Sequence, residues 1–132
     1  MAITPYLFYE DVDAALDFLA KAFGFRESSD RMRAPNGRTV HAAMKSGRDV
    51  IMMGRPPQEY RNPKHLGMAT QCLYINVRNV DKHYERALKA GAAVVNKLET
   101  TPYGDRRYGV ADPEGHQWYF AQRIRRGRRR KS

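Results

Sequence analysis

One short pattern occurs twice in this chain at a fixed spacing. Asp11-Val12-Asp13 and Asn79-Val80-Asp81 lie 68 residues apart, and so do Gly47 and Gly115. Each Asx-Val-Asp opens a helical run, and each glycine precedes the last strand of its segment. A constant offset at both ends of a unit marks an internal duplication. It constrains the fold strongly, because whatever the first half forms the second half must repeat. A chain of 132 residues is about one domain's worth of sequence. The expectation is one domain built from two modules of the same topology.

The elements within each half follow from periodicity. Ile3 to Tyr9 reads as a strand. Asp11 can cap a helix whose apolar positions Val12, Ala15, Leu16, Leu19, Ala20 and Phe23 recur at helical spacing, and Gly24 ends it. Phe25 to Met32, Thr39 to Met44 and Val50 to Met53 read as strands, separated by turns at Ala34-Pro-Asn-Gly37 and Ser46-Gly-Arg-Asp49. The order is βαβββ. In the second half, Thr70 to Val77 is a strand. Asn79 caps a helix with Val80, Tyr84, Ala87 and Leu88 inward, which ends at Gly91. Ala92 to Lys97, Asp105 to Ala111 and Gln117 to Gln122 complete a second βαβββ. The fold class is therefore α+β, two tandem βαβββ modules forming curved mixed sheets around a cleft. The modules run over residues 3–54 and 70–122, joined by a proline-rich linker at 55–69 that is unusually long for a compact domain.

The second copy ends in Asp112-Pro-Glu-Gly-His116, between two aromatic-rich runs. Proline presets φ and glycine supplies positive φ, so a chain reversal is expected here. Strand alternation then divides the side chains. Leu7, Leu73, Ile75 and Val77 should pack on the helices. Thr4, Tyr6, Phe8, His41, Cys72, Tyr74, Asn76, Gln117 and Tyr119 should line a cleft between facing sheets.

Charge and cysteine content exclude several classes. The net charge is +10, but the last ten residues hold six Arg and one Lys. Removing these seven from 24 basic residues leaves 17 against 14 acidic ones, a body charge of +3. The basicity belongs to residues 123–132, a tail expected to be disordered, and not to the domain. Cys72 is the single cysteine, which excludes an internal disulfide and a multi-cysteine zinc site. It reads as a small core residue in preference to a nucleophile. No apolar run approaches the roughly 20 residues of a membrane span. The N-terminus lacks a signal pattern, so a cytoplasmic protein with no membrane partner is expected.

The doubled βαβββ, the Val-Asp at each helix start, the Ala22-Phe-Gly-Phe25 helix end and Asp112-Pro-Glu-Gly-His-Gln-Trp118 together resemble the vicinal-oxygen-chelate superfamily. This is the glyoxalase, bleomycin-resistance and extradiol-dioxygenase group. Thr39-Val-His-Ala-Ala-Met44 with Gly47 and Val50-Ile-Met-Met53 is similar to a glyoxalase-like bacterial branch. The resemblance covers residues 3–122. In metal-using members the ligands are His, Gln or Glu from the first and last strands of each module. Those positions fall here on Thr4, on Ile51 or Met52, on Cys72 and on Tyr119. None is a carboxylate or imidazole, so no metal and no cofactor is expected.

The site candidates are then Tyr6, Phe8, His41, Cys72, Tyr74, Tyr108 and Tyr119. The rings suit a flat or hydrophobic ligand, with phenol groups to orient it; they could equally be core filling. His41 is the candidate catalytic base; the competing reading is a histidine satisfied by a neighbouring tyrosine or carbonyl. His116 is expected to be structural, pointing to the helix layer with Trp118, and His83 to be exposed on its helix. Arg106 and Arg107 could bring positive charge to the cleft mouth or serve strand-edge solubility. The leading reading is a metal-independent protein that sequesters a small organic molecule as a homodimer, with swapped and unswapped modules both open. Bleomycin itself fits poorly, being cationic where this chain is basic. One alternative is a metal-free lyase or isomerase using His41 and a cleft tyrosine. The other is a nucleic-acid-associated module, binding weakly through the tail.

Overall fold

The computed structural model describes residues 1–124. The first module comprises β1 (Tyr6–Phe8), α1 (Val12–Phe23), β2 (Arg26–Glu27), β3 (Met32–Arg33), β4 (Thr39–Ser46) and β5 (Asp49–Gly54). A short helix, α2 (Pro63–Leu66), lies in the linker. The second module comprises β6 (Cys72–Asn76), α3 (Val80–Lys89), β7 (Ala93–Thr100), β8 (Asp105–Ala111) and β9 (Gln117–Arg123). The two sheets have matching orders, β1-β5-β4-β2 and β6-β9-β8-β7. In each, the first strand runs parallel to the last, which pairs antiparallel with its hairpin partner. The duplicated α+β architecture is present as the repeat requires.

Both helices start on the residues that open the repeat. The Asp11 carboxylate accepts from the Ala14 N–H at 3.0 Å, and the Asn79 side chain accepts from the Lys82 N–H at 3.1 Å. Each satisfies one of the free donors of a helix N-terminus. Gly24 closes α1 at φ 78°, in the left-handed region.

Four local expectations are corrected. The strand expected over Phe25 to Met32 is two short pieces, β2 and β3, both laid on β4. The intervening Arg31 is drawn out to the Asp13, Asp17 and Glu27 carboxylates, each within 3.0 Å. On α3, Leu88 is 42% exposed, and His83 takes the inward place instead. β9 also extends through Arg123, whose side chain reaches the Tyr103 carbonyl at 2.7 Å. The expected tail thus begins later than residue 123; its remainder, with the disorder and nucleic-acid contact expected of it, lies outside the described residues. Finally, Cys72 is exposed and not a core residue.

One apolar core serves both modules. Phe23 of α1 packs against Trp118 and Phe120 of β9, with ring centroids 5.5 and 4.7 Å apart. Leu16, Leu19, Met44, Met53, Tyr108 and Val110 are fully buried in the same cluster. Burying such side chains supplies the main favourable term of folding. Since α1 packs on α3, the modules meet through their helix layers. The expectation that the two sheets face one another within the chain is therefore corrected: their other faces are open. Tyr6, Phe8 and Tyr74 remain 47%, 45% and 46% exposed.

The Asp112-Pro-Glu-Gly-His116 turn fastens the modules together. Asp112 is buried and accepts from the Tyr9 hydroxyl at 2.6 Å and from the Trp118 indole N–H at 3.1 Å. Its other oxygen accepts the Glu114 and His116 amides, both at 3.1 Å. Glu114 accepts the Glu10 and Asp11 amides at 2.6 and 2.8 Å. His116 does not point to the helix layer as expected; its Nε2 meets the Phe8 carbonyl at 2.7 Å.

Candidate functional site

The open face of the first sheet gathers Tyr6, Phe8, His41 and Met52. Register explains the grouping. Tyr6 pairs with Met52, while Phe8 and His41 both pair with Gly54. Gly54 lacks a side chain, and a Cβ there would collide with the Tyr6 hydroxyl and the Val40 carbonyl. The gap lets Tyr6 lean across the strand until its hydroxyl is 2.9 Å from His41 Nδ1. Ile51, the other register considered for the last-strand position, is buried in the core.

The open face of the second sheet gathers Cys72, Tyr74, Gln117 and Tyr119 around a pocket of about 430 Å³, with Thr70, Tyr103 and Arg107 also in its wall. Tyr74 and Tyr119 are register partners on neighbouring strands. Their rings are nearly parallel, at 10°, with centroids 6.4 Å apart. Gly109 repeats the device of Gly54: a Cβ there would stand 2.6 Å from the Tyr119 ring. Tyr119 thereby reaches over β8 to accept a hydrogen bond from the Asn96 side-chain amide. The Arg107 guanidinium lies 5.7 Å from the Tyr119 ring centroid, a cation–π distance. Tyr74 donates to Asp105 at 2.8 Å, and partial burial together with that carboxylate pushes the Tyr74 phenol up. The guanidinium beside Tyr103, and after it Tyr74, hold the Tyr103 phenol below the usual tyrosine range.

The sequence candidates therefore fall into two groups. Tyr6, Phe8 and His41 share one open face; Cys72, Tyr74 and Tyr119 share the other. Tyr108 belongs to neither. It is fully buried in the helix layer, where its hydroxyl is 2.6 Å from His83 Nδ1. Strand alternation accounts for this, because Tyr108 shares a face with Arg106 and Val110, opposite Arg107 and Gly109. For the same reason Arg106 is turned away, to Asp81 on α3 at 2.9 Å, and Arg107 alone of the two reaches the open face. The expectation of an exposed His83 is corrected too. Its Nε2 is 3.0 Å from the Phe23 carbonyl, and burial lowers its pKa to about 4. Asn96, Tyr103 and Asp105 were missed as site neighbours. Alternation along β8 from Arg107 would have found Asp105.

A metal does not fit the residues present. The first-strand positions expected on Thr4 and Cys72 are corrected by the register: Thr4 precedes β1 and Cys72 pairs with Gln117, so the residues opposite Met52 and Tyr119 are Tyr6 and Tyr74. Phenols and a thioether are a poor donor set for a divalent cation. Among the described residues, no three His, Cys, Asp or Glu side chains cluster as ligands would. Nor is any helix there long and apolar enough to cross a membrane.

The sequence profile described as the Glyoxalase/Bleomycin resistance protein/Dioxygenase superfamily matches residues 3–120. The Mycobacterium tuberculosis protein Rv0887c is 38% identical over 129 residues, covering 94% of this chain and 75% of that protein. Mb0911c of Mycobacterium bovis is also 38% identical, with 84% of its length covered. Both are described as uncharacterised. The crystal structure of TioX from Micromonospora sp. ML1 superposes with a TM-score of 0.77 at 34% identity, covering 94% of this chain and 99% of TioX. A superfamily member from Burkholderia phytofirmans PsJN has a TM-score of 0.69 at 19% identity, covering 92% and 97% of the two chains, and shares the fold.

Proposed function

The chain belongs to the Glyoxalase/Bleomycin resistance protein/Dioxygenase superfamily, and from that premise we propose that it binds a small organic molecule without a metal and holds it unchanged. The carrying observation is the Tyr74–Tyr119 pair with Arg107 over Tyr119, lining a pocket of about 430 Å³. Parallel phenol rings offer flat apolar area at low entropy cost, and their hydroxyls orient a ligand. Among the described residues, this face pairs no nucleophile with a base, as covalent catalysis would require.

The binding unit in this reading is a homodimer. One chain carries two open tyrosine faces that do not close on each other, and exposed rings grouped in this way suit an interface. A two-fold axis would set the first sheet of one copy against the second sheet of its partner. That closes two equivalent clefts, each with Tyr6 and His41 on one wall and Tyr74 and Tyr119 on the other. Residues 55–69 form the hinge at which modules could be exchanged. The place of action in this reading is the cytoplasm.

The test is a thermal-shift screen of small aromatic and aliphatic compounds, followed by mass spectrometry of each hit after incubation. A bound compound stabilises the folded state by mass action. The reading expects stabilising aromatic hits that are recovered intact, and a dimer by sedimentation. A hit steadily converted to product would overturn it.

A further inference from the structure

The open face of the second sheet contains a charged donor with nothing to donate to. Arg107 Nη1 is buried and has no hydrogen-bond partner among the described residues. The rest of the guanidinium is anchored, with Nη2 3.2 Å from the Glu99 carboxylate and the group lying over Tyr119. The Tyr103 phenol is within hydrogen-bonding influence of the guanidinium, which lowers its pKa, but no contact to Nη1 meets hydrogen-bond geometry. Buried N–H groups are nearly always paired, and one on a cation is especially costly to leave alone. Arg107 lines the pocket together with Tyr74 and Tyr119.

We propose that the Arg107 guanidinium is the recognition point for a planar aromatic carboxylate. The ligand's ring lies against the Tyr74 and Tyr119 phenols, and one carboxylate oxygen accepts from the guanidinium. The inference rests on the reading of this face as a ligand site and adds the ligand's chemical class. The nearby carboxylates do not oppose an anion, because each already has a partner. Asp105 holds the Tyr74 hydroxyl and lies 3.3 Å from the Arg123 guanidinium, and Glu99 holds Arg107. An ammonium ligand brings no acceptor, and a neutral hydroxyl brings only an uncharged one. An anion completes the donor with a charge-assisted bond, shorter and stronger than a neutral one. The anchored guanidinium also loses little freedom on binding.

The experiment is calorimetric titration of the full chain with 2-naphthoate, 2-naphthylmethanol and 2-naphthylmethylammonium, which share one ring system and differ in charge. The expected result is at least tenfold tighter binding of the carboxylate. Arg107→Met should abolish that preference, and Arg106→Met, on the opposite face, should leave it intact. If Arg107→Met does not fold, the wild-type order of the three probes decides. Equal binding of acid and alcohol, tighter binding of the ammonium, or a preference that survives in Arg107→Met overturns the carboxylate class and leaves the aromatic site standing. Binding of none of the three also overturns it; the function above is then judged by its own compound screen.

Discussion

The Tyr6 hydroxyl and His41 Nδ1 stand 2.9 Å apart across Gly54, and this pairing joins β1 to β4 on the open face. It makes His41 a partner of a tyrosine before any ligand arrives. Both groups are reached by water, so the bond contributes to placement more than to stability. Tyr6→Phe is expected to cost less than about 1 kcal/mol in urea unfolding, and to weaken binding of an aromatic hit by a few fold. A large loss of stability with unchanged binding would show a structural role instead.

Asp112 is expected to be the most sensitive polar residue of the fold. Asp112→Ala leaves the buried Tyr9 hydroxyl and the Trp118 N–H without their acceptor. A loss of about 2–4 kcal/mol is expected from unsatisfied buried donors, read as a lower urea midpoint. A shift within experimental error would mean that the turn does not fasten the modules.

Gly115 should not tolerate a side chain. Its φ is +92°, and a Cβ would stand 2.6 Å from the Lys64 amide nitrogen of α2. Gly115→Ala combines left-handed strain with a backbone clash, so it should lower the melting temperature by several degrees. Gly37→Ala, with positive φ but open space around it, should cost clearly less. Equal effects would locate the cost in φ alone.

Stability should fall in mild acid because of His83. Its folded pKa is lowered to about 4 from 6.5, first by burial and less by the Arg86 charge, with the Phe23 carbonyl partly opposing. The unfolded chain therefore binds a proton before the folded one does. The contribution is complete above about pH 6.5 and is lost as pH falls toward 4. Over pH 4.5 to 6.5 the wild type should lose melting temperature more steeply than His83→Gln. Parallel profiles would contradict the buried neutral imidazole.

How far the sequence reached depends on the kind of signal. The repeat of Asp11-Val-Asp13 in Asn79-Val-Asp81 carried the topology, because caps and turns are local chemistry. Alternation placed Tyr6, Phe8, Tyr74 and Tyr119 on open faces for the same reason. It failed at Tyr108 where aromatic character was weighed above strand phase. The side-by-side packing of the modules could not be read at all. Phe23 against Trp118 and Phe120 joins residues nearly a hundred positions apart, and no periodicity within either module specifies which face meets the other. His83 was lost for that reason in part, since Phe23 of the other module covers it together with Phe120 and Tyr108 of its own. The orphan donor on Arg107 depends on side-chain geometry that alternation alone does not convey.

The central claim is binding without conversion on the tyrosine face, and it is tested most directly by titrating one aromatic hit into wild type and Tyr119→Ala. Elemental analysis of the same samples and recovery of the ligand complete the measurement. The account predicts saturable binding to a protein without stoichiometric metal, at least tenfold weakening in Tyr119→Ala, and ligand recovered intact. Affinity unchanged by Tyr119→Ala, or a ligand consumed in a reaction that His41→Ala abolishes, would contradict it.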